Sequence, residues 1–251
     1  MTDDLFAARP VADPPAPDPA APDPAAPDSM VRGQALTRAA VQALAAQPGP
    51  RHLVECDGDE VDLSDLDLWG WTFERCSFRR ANFKAARLEG VKWQGCRGAF
   101  ADFSAADLTD ALFTACDFNN GLFRRAILNA AVFTGCKLTG ADLSEARMLH
   151  ARYEETLLIN ARLPSQSFLK QVLRKVDFGQ ADVRKSDFRH AVFEDCSLRD
   201  AHMVGCRFEG ADLRGADLGG LRLVDAALFR GATISREQAG QLLGELGLNV
   251  R

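Results

Sequence analysis

Large apolar residues recur at every fifth position from Leu63 to Leu228, and this period constrains the chain more than any other feature. The series runs Leu63, Leu68, Phe73, Phe78, Phe83, Leu88, Trp93, Gly98, Phe103, Leu108, Phe113 and onward with no shift of register. Of its 34 positions only Gly98 is not large and apolar. A helix repeats every 3.6 residues and a flat strand every 2.0, so neither accommodates a period of five. The period fits a chain that turns a corner every five residues. Two residues before each large residue lies a second series, mostly small, as in Cys76, Ala81, Ala86, Cys96, Ala101 and Ala106. The large and small residues are expected to point inward. The residue between them is often Asp or Asn, as in ADLRGADLGG at 211–220, and points out with the two that follow.

These A-(D/N)-L-x-x units resemble the pentapeptide-repeat family over about residues 61–230. The resemblance implies an all-β fold: a right-handed, four-sided parallel β-helix, one pentapeptide per side and 20 residues per coil. An internal check agrees. Cys56, Cys76, Cys96, Cys116, Cys136 and Cys196 differ by multiples of 20, so they stack on one side, with Thr156, Val176 and Ala216 in the gaps. The third side then carries Phe73, Trp93, Phe113, Phe133, Tyr153, Leu173 and Phe193. At ~4.8 Å per stacked strand such a rod is about 40 Å long, and its interior has no room for a cavity.

The chain divides at composition changes. Residues 1–30 repeat Ala, Pro and Asp without a large apolar run, and such a segment is expected to be disordered. It reads either as a tether or proline-dependent docking peptide, or as a solubilising tail. Residues 31–50 contain a short capping helix, with Leu36, Ala40, Ala43 and Leu44 near one face, stopped by Pro48, Gly49 and Pro50. The β-helix spans 51–232. Residues 233–251 form a C-terminal capping helix, opened by a Ser235–Gln238 capping box ahead of Leu242, Leu243 and Leu246.

Charge and chemistry exclude several classes. Residues 1–30 hold six acids and one base, while the rest carries 29 of each, so the body is neutral. A nucleic-acid binder would show a positive excess, so no direct nucleic-acid partner is expected. No apolar run reaches the ~18 residues of a membrane span, and no signal peptide is evident, so a cytoplasmic protein without a membrane partner is expected. The seven cysteines lack a C-x₂-C pair and read as buried, reduced core residues. His150 and His190 lie two coils apart, too far to share a metal. Asp62, Asp102, Asp107, Asp142, Asp182, Asp212 and Asp217 sit where a short carboxylate bonds local backbone N–H groups. No phosphate loop, nucleophile elbow or triad is present. No catalytic residue, metal site or cofactor is expected, and the chain reads as no enzyme.

Two irregularities mark candidate sites. Pro164, Gln166 and Gln171 interrupt the repeat, the glutamines standing at small inward positions. They form either a bulge with a docking role or amides bonded to carbonyls of neighbouring coils. On the third side, outward Leu112, Val132, Val172 and Val192 align as an apolar stripe, with Leu149, Leu157, Ile159 and Leu169 adding apolar surface. The stripe reads as a partner-binding surface or as β-branched residues on an exposed sheet.

The first functional reading is a non-catalytic protein–protein scaffold. The segment GATISREQAGQLLGELGLNV (231–250) resembles family members that serve bacterial type VI secretion systems, which implies an accessory role there. The alternative, also from resemblance, is a DNA mimic that binds DNA gyrase or topoisomerase IV and protects against quinolone-type inhibitors. Such relatives dimerise through C-terminal helices, so a homodimer through Leu242, Leu243 and Leu246 belongs to that reading. Mimicry needs a lengthwise acidic stripe. Here Lys84, Arg124, Arg125, Arg162, Arg184 and Lys185 place basic charge on the first side.

Overall fold

A computed structural model of the chain describes residues 30–220, 227–245 and 247–250. Most of the segment expected to be disordered, residues 1–29, lies outside them. So do Leu223 and Leu246.

The corners come first. From Glu55 to Gly210 every fifth residue has a left-handed backbone, beginning with φ of 54° at Glu55, 59° at Glu60, 59° at Asp65 and 69° at Gly70. For a residue with a Cβ this conformation costs about 1–2 kcal/mol. Asp supplies local compensation. Asp102 Oδ1 accepts from the Ser104 N–H at 2.9 Å, Asp107 from Thr109 at 3.0 Å and Asp177 from Gly179 at 2.8 Å. The outward acids therefore hold the turns, as the spacing predicts.

Four corners return the chain to its starting side after 20 residues, and each turn hydrogen-bonds to the next. One side carries regular strands: β1 (Met30–Arg32), β2 (His52–Val54), β3 (Thr72–Glu74), β4 (Lys92–Gln94), β5 (Leu112–Thr114), β6 (Val132–Thr134), β7 (Arg152–Glu154), β8 (Val172–Arg174) and β9 (Val192–Glu194). They form one parallel sheet in sequence order. The other sides pair mostly through single bridges 20 residues apart, such as Asp62 with Asn82 and Asn82 with Asp102. A short pair, β10 (Cys196–Ser197) and β11 (Ala216–Asp217), follows. The result is the right-handed, four-sided parallel β-helix that the repeat implies.

The interior is filled by rings. Trp93 stacks on Phe73 at 4.4 Å and on Phe113 at 5.9 Å, and meets Phe78, Phe83, Phe103 and Phe118 edge-on. Offset-stacked and edge-on pairs contribute about 0.5–1.5 kcal/mol each beyond their buried area. Gly98, the exception in the series, makes room for this crowd. A Cβ there would come within 2.5 Å of Phe118 Cδ1. The cysteines stack as expected and are buried. Their thiols bond carbonyls of the preceding turn, Cys96 Sγ to Phe73 O at 3.2 Å and Cys136 Sγ to Phe113 O at 3.4 Å. In the same column the Thr156 hydroxyl donates to Phe133 O at 3.1 Å. Burial pushes the Cys206 thiol up to about 12, and a shared hydrogen with Cys116, then burial, raises Cys136. These are buried core groups.

Both ends depart from the sequence reading. The helix α1 spans Arg38–Ala45, with Thr37 as N-cap, well inside the 31–50 segment. Its anchor is Val41, buried at 1% exposure, while Ala40 and Ala43 face out. The face shifts because only Val41, Leu44 and Leu36 offer bulk to cover the first turn. Met30–Arg32, assigned by sequence to the junction of tail and helix, adds a strand to β2. At the far end the register does shift. Asp212 pairs with Thr233, and Phe229 stacks on Phe208 at 4.7 Å, both 21 residues on. Phe229 therefore takes the place the period assigns to Leu228, which is half-buried. The helix α2 (Arg236–Glu245) opens with the expected box. Ser235 N–H donates to Gln238 Oε1 at 2.7 Å and Gln238 N–H to Ser235 Oγ at 3.1 Å. Gln238 also turns its amide inward to Leu213 O and Ala216 O, both at 2.7 Å.

Candidate interaction surface

Along the β1–β9 sheet the ladder is broken at one place. Every neighbouring pair in the sheet aligns three residues except β7 and β8, which align only Glu154 with Arg174. The Val132 and Val192 amides donate to the carbonyls of Ala111 and Gln171, 21 residues back. Val172 makes no such bond to Ala151. On the adjoining side, Ile127 bridges Arg147 and Ser167 bridges Asp187, but Arg147 and Ser167 do not bridge. The other two sides stay continuous, through Asp142 with Arg162 and Leu157 with Asp177. The rod is thus opened along one corner and closed along the opposite one.

Two glutamines stand at the break. An Ala at these inward positions lets turns approach; a Gln side chain is too long. Gln171 Nε2 donates to Ala151 O at 3.2 Å, taking the acceptor that the Val172 amide would use. Gln166 Nε2 donates to Pro164 O at 3.0 Å, and its amide N–H goes to Ser186 Oγ at 3.0 Å. The Gln171 amide thus bonds a carbonyl of the neighbouring coil, while the Gln166 amide bonds one within its own coil.

The opening is a cleft of about 510 Å³ walled by Val132 and Val172, with Gln171 at its base and Arg152, Lys170 and Arg174 around it. Arg174 is tied to Glu194 at 2.7 Å. Glu154 and His150 complete the rim. Below, the Tyr153 hydroxyl donates to Met148 Sδ at 3.0 Å, and burial raises its pKa.

Most of the candidate surface residues lie around this cleft. Leu112 and Val172 are exposed and Val132 and Val192 half-buried, all at the outward first position of their strands. Leu149 and Leu169 are exposed at the corner where the seam opens. Ile159 does not join them. Its carbonyl accepts from Gly140 at the diagonally opposite corner. Leu157 is half-buried on another side. Leu242 is half-buried and Leu243 exposed on α2. Sequence reasoning missed the cationic rim, Arg152, Lys170 and Arg174. The two bulky amides in the small series were the signal that could have located it. It also missed Trp69 and Phe100, exposed at 58% and 55% on corners. Of the histidines, His52 pairs with Glu74 at 3.1 Å. Among the described residues no group of His, Cys, Asp or Glu is arranged to hold a metal ion, and no helix is long and apolar enough to cross a membrane.

A rod of stacked four-sided turns with a ring-filled axis defines a β-solenoid repeat protein. Models for pentapeptide repeats match residues 59–92, 81–120, 172–210 and 191–228, and a model for a pentapeptide repeat region matches 106–172. The chain belongs to the pentapeptide-repeat family. Among solved structures it is similar to a trypsin-treated form of QnrB1, a plasmid-mediated fluoroquinolone resistance protein, at 24% identity and a TM-score of 0.70. That match covers 79% of this chain and 99% of that one. It is also similar to HetL, a pentapeptide-repeat protein involved in heterocyst differentiation regulation in the cyanobacterium Nostoc, at 22% identity and a TM-score of 0.62. There the coverage is 77% and 89%. A comparison with curated protein sequences gave no match. At these identities the likeness concerns the fold.

Proposed function

We propose that the protein is a non-catalytic protein-binding scaffold whose partner seats on the β2–β9 side, over the seam between β7 and β8. The opened seam carries this reading. It leaves the Val172 amide unladdered beside apolar Val132 and Val172, where the turns on either side are joined by hydrogen bonds. A rigid preformed surface binds with little ordering cost. The finer placement, as an accessory protein of a type VI secretion apparatus in the cytoplasm, rests on the C-terminal segment alone.

The test is affinity capture from the native host with the wild-type chain and with Val132→Asp plus Val172→Asp. Both residues point outward, so the circular dichroism spectrum and unfolding midpoint are expected to stay put while the captured partner is lost. Equal capture by both proteins refutes the site. Secretion components among the captured proteins support the finer placement.

The likeness to QnrB1 favours DNA mimicry as a second reading. Duplex DNA carries one charge per ~1.7 Å. Here the acids on the first side are matched by cations: Lys84 with Asp102 at 3.2 Å, Arg125 with Glu145 at 2.9 Å, Arg184 with Asp182 at 2.7 Å. Inhibition of gyrase supercoiling, or rescue of gyrase from a quinolone, would establish mimicry instead. Its absence removes that reading.

A further inference from the structure

Trp69 is the anomaly that the scaffold reading leaves unused. It stands at a corner position that Glu89, Thr109 and Asn129 fill on the following turns, and it is 58% exposed. It does not stand alone. Trp69, Trp71, Ala45, Ala46 and Pro48 line an open groove of about 520 Å³ between the end of α1 and the first turns. At its edge Arg87 bonds Asp67 at 2.7 Å and reaches Glu89 at 3.5 Å. What remains is a shallow trough with an indole along it and polar edges at Gln47, Asp67 and Arg87. Aromatic troughs of this kind recognise proline-rich chains, which enter already extended and lose little entropy.

The chain itself brings such a segment to the spot. Residues 10–27 contain eight prolines. The described structure begins at Met30, which pairs with His52 at the start of β2. Trp69 lies three residues before β3, near the corresponding corner, about two strand spacings or ~10 Å along the rod. An extended proline-rich chain advances ~3.1 Å per residue, so the residues shortly before Met30 reach the groove with length to spare.

We propose that Pro19–Pro27 of this chain docks in the Trp69 groove, clamping the N-terminal segment against the capped end of the rod. The tail is then a built-in ligand of its own cap.

The test uses the full chain. All seven native thiols are buried, so a nitroxide placed on Ala21→Cys labels one site. In an isotope-labelled protein, the Trp69 indole and the Gly49 and Gly90 amides are expected to lose most of their NMR intensity. Replacing Pro22 and Pro24 by Gly, or Trp69→Thr, should restore the Gly49 and Gly90 signals while the strand spectrum is unchanged. A tail that is merely tethered nearby broadens these amides equally in the parent and both variants, and that result overturns the proposal. So does broadening that appears only when spin-labelled and isotope-labelled chains are mixed, which would assign the groove to a second copy.

Discussion

Gly98 is the place where the repeat pattern and the packed interior make opposite predictions. The pattern favours Leu, which would be a consensus substitution of the kind that usually stabilises. The geometry says otherwise. The space is taken by the Phe118 ring, so close that a Cβ at 98 would lie within 2.5 Å of Cδ1. Phe118 in turn is held edge-on by Trp93 at 5.5 Å and Phe113 at 5.6 Å, and cannot swing away. Gly98→Leu is therefore expected to cost about 1–3 kcal/mol by overpacking. Phe118→Leu alone should cost roughly 0.5–3 kcal/mol through the void it leaves. Together they nearly conserve volume, adding four carbons and removing three, and the pair should cost less than about 1.5 kcal/mol. The singles then fail to add by about 1–3 kcal/mol, as expected for side chains in contact. Urea unfolding followed by circular dichroism measures all four proteins. A Gly98→Leu protein more stable than wild type, or strictly additive effects, would refute the ring-for-glycine exchange.

Three further outcomes follow from the seam, the surface acids and the thiols. Gln166→Ala with Gln171→Ala should let the Val172 amide reach Ala151 O, adding about 0.5–1.5 kcal/mol for the new bond. Amide exchange at Val172 should slow, and unchanged exchange would show that the glutamines do not hold the seam open. Bidentate hydrogen bonds from Arg184 and Arg189 hold the Asp182 and Asp187 carboxyls below their ordinary range. Their stabilisation is present above the unfolded value of about 3.9 and fades as pH falls through the lower folded values. The advantage in urea midpoint of wild type over Asp182→Asn plus Asp187→Asn should be steady from neutral pH downward and shrink only under acid. An advantage that instead shrinks near neutrality contradicts the assignment. Ellman's reagent should find no reactive thiol in the native protein and seven in urea, because the cysteines are buried and a thiol near 12 such as Cys206 has almost no thiolate at neutral pH.

Most of the interior was legible in the sequence because a period of five leaves one geometry in which bulky groups share an axis. Phe73, Trp93 and Phe113 stack as their spacing of 20 requires. The extra residue near the C-terminus was not legible. Leu228 and Phe229 are both apolar, so the pattern reads equally well in either register, and only the stacking on Phe208 decides. Val41 escaped notice because alanines gave the helix an apparent face that carries no bulk. Gln166 and Gln171 were visible as misfits. Whether a buried amide finds a carbonyl within its turn or pries the turns apart depends on three-dimensional distances that composition does not contain. Ile159 looked close to Leu149 along the chain, yet ten residues carry it half-way round the square.

A stack of identical rungs has no natural last rung, and an unpaired edge invites another molecule to continue it. This chain stops itself. Between Asp212 and Thr233 the spacing slips by one residue, so a copy offered end to end would meet its neighbour out of phase. The Gln238 amide occupies Ala216 O, the kind of acceptor a following turn uses, as the Val132 amide uses Ala111 O. One slipped rung and one side chain thus cover an edge that the last turns would otherwise present.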